Sequence, residues 1–182
     1  MTKIFKIASI AIVALIATTA SAQDNQTQLN VNLANAYSVV VNPTQNSVTI
    51  DMNLPAHFQN GNSSAAQADH IQVSASGDYE VTVFALGDLV AGSETIAVNT
   101  VTVTPTAGTY LGAGADPGST ALITPQPIQV GAANEETIIS SESGDLRGFN
   151  MVYTIPAAQT GAYLNHSPGI YTATVVYAIY PL

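Results

Sequence analysis

From residue 28 onward, apolar and polar side chains alternate in short runs, the two-residue period of a strand with one buried face. Leu29, Val31 and Leu33 are separated by Asn30 and Asn32, and Val48, Ile50 and Met52 by Thr49 and Asp51. The β-rich run 36–41 stops at Asn42-Pro43, a turn pair. Residues 70–76 and 79–86 flank the turn triplet Ser76-Gly77-Asp78 and are predicted to form a hairpin. Shorter stretches cover 95–98 and 100–104, the second ended by Pro105, with weaker ones at 121–124, 128–130 and 137–141. Phe149, Met151, Tyr153 and Ile155 alternate up to Pro156. A long last strand is predicted over 169–180, with Tyr171, Ala173, Val175, Tyr177 and Ile179 on one face.

About ten short strands separated by Gly, Pro, Asn and Ser clusters predict an all-β fold, an antiparallel Ig-like β-sandwich. Three long Gly- or Pro-containing loops are expected at 53–69, 105–120 and 156–168. No fixed-period repeat and no linker interrupts 23–182, which therefore reads as one domain.

Residues 1–22 have the three parts of a secretory signal. Lys3 and Lys6 give the positive start, 7–17 is apolar but for Ser9, and Ala20-Ser21-Ala22 offers small residues for cleavage before Gln23. Eleven such residues are about half of the ~20 that a spanning helix needs. The expected localisation is therefore export, to the extracellular space or the cell surface, with the periplasm as the other destination. The protein is not expected to span a membrane.

Composition sharpens this reading. Only 8% of the 182 residues are charged, against the roughly 25% usual for soluble domains. Removal of 1–22 leaves 160 residues, twelve acidic side chains, Arg147 as the one Lys or Arg, and a net charge of −11. A single fixed cation cannot neutralise a run of phosphates, so nucleic acid is excluded as a partner. Without Cys there is no disulfide, thiol nucleophile or thiolate metal site. Lys, the usual guard of exposed strand edges, is missing from the processed chain, so either Asp and Glu repel other chains or an edge is meant to be paired.

Candidate chemistry is sparse. His57, His70 and His166 read as loop and strand-edge residues facing water. Asp69-His70 with Ser63 or Ser64 lacks the strand–turn–helix elbow of a nucleophilic Ser. Glu135, Glu136, Glu142, Asp145 and Asp116 could face calcium, but the alternate-residue acidic loop is absent and solvated acidic loops fit better. Tyr110 and Tyr163 fall in predicted loops, where exposed rings could stack on glycans. No catalytic, metal or cofactor site is assigned, and no enzyme is expected.

The termini carry more information. A polar leader followed by Leu29, Val31 and Leu33 suits a strand that completes another subunit's sheet, and also suits an ordinary first strand. The segment 169–175 leading to a last strand resembles the closing strand of exported bacterial sandwiches: the spore coat protein U type, the WxL-type surface domain and chaperone–usher pilus subunits. Gly169, Val175, Tyr177 and Ile179 match positions of the pilus pattern, whereas Pro181 stands at its penultimate aromatic and its Cys pair is missing. The Trp signature of the WxL type is also absent. The resemblance implies a structural or adhesive surface protein, in its sharpest form a fimbrial subunit that self-associates or binds other surface proteins. Leu29, Val31 and Leu33 would then insert beside the 169–180 strand. The competing expectation is a monomeric module binding carbohydrate or calcium.

Overall fold

The computed structural model describes residues 28–182. The leader 1–22 lies outside them. The chain divides into Met1–Leu33 and Ala34–Leu182, and all regular structure among the described residues belongs to the second unit. Twelve strands form there: β1 (Tyr37–Val41), β2 (Gly61–Ser63), β3 (Gln67–Ala75), β4 (Tyr79–Ala85), β5 (Leu89–Ala91), β6 (Glu94–Ile96), β7 (Thr102–Tyr110), β8 (Leu122–Ile123), β9 (Gln126–Pro127), β10 (Glu136–Ser141), β11 (Asp145–Pro156) and β12 (Val175–Pro181). One short helix, α1 (Pro55–Asn60), precedes β2. No helix among the described residues is long and apolar enough to cross a membrane.

The strands build an antiparallel β-sandwich. One sheet has the order β1-β3-β11-β7-β9, with β2 pairing the far end of β11; the other has the order β12-β4-β10-β8. Alternation puts Ile71 and Val73 of β3, Val103 of β7, and Phe149, Met151 and Ile155 of β11 on the inner face of the first sheet. Tyr79, Val81 and Val83 of β4, with Ile138 and Ile139 of β10, meet them from the second sheet. A register shift between Thr137 and Ile139 marks the bulge at which two consecutive isoleucines are both buried.

Residues 70–76 and 79–86 do not form the expected hairpin. β3 pairs with β1 and β11, β4 pairs with β12 and β10, and Ser76-Gly77-Asp78 carries the chain from one sheet to the other. Strand alternation and a tight turn are common to a hairpin and to a crossing between layers. The choice is made by β10 and β11, which cross in the same way at residues 142–144 and lie against both arms. The two crossings touch. A Cβ added to Gly144 would sit 2.6 Å from the carbonyl oxygen of Ala75 and 2.9 Å from the carbonyl carbon of Ser76.

Other boundaries shift for identifiable reasons. Pro105 does not end its strand, and β7 runs on to Tyr110. Beyond Val103, β7 has β11 on one side and, among the described residues, no strand on the other, an edge where Pro is tolerated. The loop predicted over 53–69 contains α1, β2 and the start of β3, and a run of 3₁₀ helix, Ala157–Tyr163, follows β11 within the one predicted over 156–168. The last strand begins at Val175, not at Gly169; before it, only Thr172 makes a β-bridge, to Val90. Leu29, Val31 and Leu33 form no strand and are 85%, 73% and 88% exposed.

The two lateral sides of the sandwich differ. On one, the chain passes from β8 in the second sheet through Thr124-Pro125 to β9 in the first, and pairing continues on both: Thr124 N–H donates to Ile138 (3.0 Å) and Ile128 N–H to Val101 (2.9 Å). On the other, β1 and β12 lie side by side near the crossings, and beyond Val41 the sandwich opens.

Gly144→Ala is expected to destabilise the protein by about 1–3 kcal/mol, because the backbone it would strike has no flexible end to yield. Gly114→Ala, in open space, is expected to stay within about 0.5 kcal/mol. Denaturant unfolding of both variants is the check; equal stability would contradict the close approach.

Candidate functional site

The opening is a groove of about 860 Å³. Its first wall comes from the Asn42-Pro43 turn. Asn42 N–H makes the last bond along β3, to the His70 carbonyl (2.8 Å), and the Asn42 side chain then accepts from Thr44 N–H (3.1 Å), starting a 3₁₀ turn over Pro43–Gln45. The turn leads the chain away from the sheet. Residues 46–53 follow without helix or strand partner, with Val48, Ile50 and Met52 packed against the core and Thr49 and Asp51 exposed. They alternate as a strand does. Yet among the described residues, none of their backbone groups enters a backbone–backbone hydrogen bond.

The second wall is the approach to β12, residues 166–175. On its outer side Thr172 exchanges two bonds with Val90 (3.0 and 3.1 Å), and the Thr174 carbonyl accepts from Leu86 N–H (2.9 Å). β12 continues that line against β4 and is the last strand of its sheet, so its other edge has no strand partner among the described residues. Between the walls, Leu89, Ile96, Val98, Val101, Ile128 and Ile155 form an apolar floor. A sandwich core is thus left open along one side.

A polar chain marks the end of the groove nearest β1. Gln45 Nε2 donates to the Ala68 carbonyl (2.8 Å), which leaves its Oε1 to accept from His70 Nδ1 (3.3 Å). His70 Nε2 is then an acceptor for the Tyr153 hydroxyl (2.9 Å), and the Tyr177 hydroxyl donates in turn to Tyr153. This links the turn, the first sheet and the second sheet. The expectation that His70 faces water is therefore incorrect: it is 3% exposed, and burial lowers its pKa. Burial likewise pushes the Tyr153 phenol up to about 12. Asp69 does not orient the imidazole, because its carboxylate reaches across Gly148 to accept from Thr109 N–H (2.8 Å). Ser64 Oγ accepts from Tyr153 N–H (3.2 Å) and Ser63 meets Thr154 (2.8 Å), so neither serine is paired with His70.

At the other end of the second wall, Glu94 of β6 holds a cluster. Its carboxylate accepts from His166 Nδ1 (3.1 Å), Ser167 N–H (2.9 Å), the Ser167 hydroxyl and the Tyr171 hydroxyl (2.6 Å). The hydrogen bonds from Ser167 and Tyr171 hold its pKa down at about 2, and the same carboxylate pushes Tyr171 up to about 12. His166 is thus held by a carboxylate and is not simply solvated. Nothing in the sequence pattern linked Glu94 to a segment more than seventy residues away.

The remaining candidates scatter. Tyr110 ends β7 and borders a small cavity of about 240 Å³ with the Arg147 guanidinium 5.8 Å from its ring centroid. Tyr163 is half-buried at the large groove, its hydroxyl 2.7 Å from Thr100 Oγ1. The structure does not bring the two rings onto one face. Asp116, half-exposed, and Asp145, nearly buried, both bind Arg147, which is 3% exposed and also donates to the Gly108 carbonyl. Of the assembly residues, Gly169, Val175 and Tyr177 line the groove, and Ile179 packs against the core farther along β12. Compared with known proteins, the chain matches no family model and no curated protein.

Two steps are expected in stability against pH. The folded His70 binds protons less readily than the unfolded one, so stability should be full above about 6.5 and decline as pH falls through that value. Glu94 is depressed, so its contribution is present above about 4.5 and lost as pH falls towards 2. Tyr153→Phe leaves His70 Nε2 without its donor and is expected to cost about 1–3 kcal/mol at neutral pH. Urea unfolding from pH 8 to 3 checks both; a flat profile between 7.5 and 5.5 would contradict the placement of His70.

Proposed function

We propose that this protein is an exported, non-enzymatic structural subunit of the cell surface that assembles by strand complementation, each copy lending its 28–34 segment to the groove of the next. The observation that carries this reading is the run 46–53: Val48, Ile50 and Met52 pack against the core, and among the described residues its backbone has one partner, the Asn62 side chain at the Asp51 carbonyl (2.6 Å), while it faces the β12 edge across an apolar floor. Backbone amides and carbonyls beside an apolar groove want regularly spaced partners. A lipid chain has none, and a glycan's hydroxyls come without the alternating apolar groups the floor requires, whereas an extended peptide supplies backbone partners to both walls and sends alternate side chains to the floor.

The chain contains a segment of that form. Leu29, Val31 and Leu33 alternate with Asn30 and Asn32 and stand almost fully exposed. Burying each is worth about 1.5–3 kcal/mol before the cost of ordering the segment. A second copy is favoured over the molecule's own groove by where β1 starts. Ala36 N–H donates to Ser76 Oγ (2.8 Å), beside the crossing from β3 to β4, so the chain enters β1 at the end remote from the groove. The buried Arg147 leaves the described surface without a fixed cation, which agrees with a partner that binds by shape and backbone pairing.

The processed protein is expected to form oligomers that survive detergent. Deletion of 23–34 should reduce them to monomers, and Val31→Asp should weaken them by at least about tenfold, a loss of 1.4 kcal/mol or more. A synthetic 28–34 peptide should raise the melting temperature of the deleted protein. Identical monomers with and without the segment, together with no response to peptide, would contradict the proposal.

A further inference from the structure

Glu94 has a role in the groove that rests on the reading above but can be tested apart from it. Residues 165–171 form the outer part of the second wall, and among the described residues none of their backbone groups enters a backbone–backbone hydrogen bond. Among the described residues, every polar contact that ties this stretch to another part of the fold ends on one carboxylate. The same Tyr171 hydroxyl lies 3.0 Å from the Ser167 carbonyl, sharing its one proton between that oxygen and the shorter bond to Glu94, which closes the stretch on itself around the carboxylate. Asn165 turns the chain into the wall with a left-handed backbone, φ 63°. Ile170, at the rim, is 85% exposed and contributes little anchoring burial.

The carboxylate is itself well placed to act as a fixed point. Glu94 belongs to the β5–β6 ribbon, whose strands pair at Leu89–Ile96, Val90–Thr95 and Ala91–Glu94 around a positive-φ Gly92. The ribbon contributes Leu89 and Ile96 to the groove floor, so the floor and the wall are joined through one short element. Three donors converge on Oε2 and one on Oε1. An ionised carboxylate is acceptor-only and takes several charge-assisted bonds at once; with three donors on Oε2, two of them share one of its lone pairs.

We infer that Glu94 is a positioning residue for assembly: by gathering His166, Ser167 and Tyr171 it sets the wall at the separation a seated strand requires. Without it, 165–171 would be held only at its two ends, by Tyr163 on Thr100 and by Thr172 on Val90, and the groove would lose a defined second wall between them. The incoming strand would then have to order that wall as it binds, and affinity would fall by the cost of ordering.

The test compares full-length processed protein carrying Glu94, Glu94→Gln, Glu94→Asp and Glu94→Ala. Gln keeps one carbonyl oxygen for the Oε2 donors and can present its amide to the Ser167 hydroxyl; Asp is too short to reach the wall. The expected order of oligomer strength is Glu, then Gln, then Asp and Ala together, with at least about a tenfold loss for Ala. Amide hydrogen exchange read on the same proteins should quicken at Thr172 and Val90 in the Asp and Ala variants, with β3, β4 and β11 unchanged. Unchanged exchange at Thr172 and Val90 in Glu94→Ala would overturn the inference, as would a Gln variant as weak as the Ala variant. If no variant, and not the parent either, forms oligomers, the assembly proposal fails while the exchange result still decides whether Glu94 holds the wall.

Discussion

Backbone hydrogen bonding is the constraint on which this structure turns. A sandwich can bury its core only if every strand beside that core finds partners for its amides and carbonyls. On the β8–β9 side the chain meets the demand by stepping from one sheet to the other while pairing with both. On the β1–β12 side it does not. The Asn42-Pro43 turn ends pairing with β3, and residues 46–53 keep the alternating burial of a strand without, among the described residues, its backbone–backbone bonds. Core packing by Val48, Ile50 and Met52 holds them in that shape.

The polar groups around the opening are arranged so that it is bounded. At one end the chain from Gln45 through His70 and Tyr153 to Tyr177 joins both sheets, and at the other Glu94 gathers the far wall. Each is made of groups that would be costly to bury unpaired, and each is complete within the fold. What remains short of strand partners among the described residues is the backbone of 46–53 and the groove-side edge of the 166–175 wall, on either side of the apolar floor. That contrast, satisfied ends and a length short of strand pairing among the described residues, distinguishes the groove from a loosely packed flank.

Much of the architecture was legible from alternation. The inward set on β11, the face of β4, the stop at Asn42-Pro43 and the all-β class follow from a period of two and from turn residues. Pairing was not legible. Ser76-Gly77-Asp78 serves a crossing as well as a hairpin, and only β10 and β11, far along the chain, decide between them. Val48, Ile50 and Met52 read as a strand for the same reason, since side-chain pattern reports burial and not whether a neighbour lies alongside. Glu94 and His70 were missed because their partners are brought by topology; a carboxylate in a short ribbon and a histidine on a strand carry no local sign of them. Pro105 misled through a rule that holds for central strands and fails at an edge.

The account stands or falls on residues 46–53 acquiring backbone partners when the protein assembles. Amide hydrogen exchange at 48–52, measured on the monomer and on the assembled protein, tests this most directly. Fast exchange in the monomer and strong protection in the assembly is the predicted result. Assembled protein whose 48–52 amides still exchange as fast as those of the monomer would contradict it.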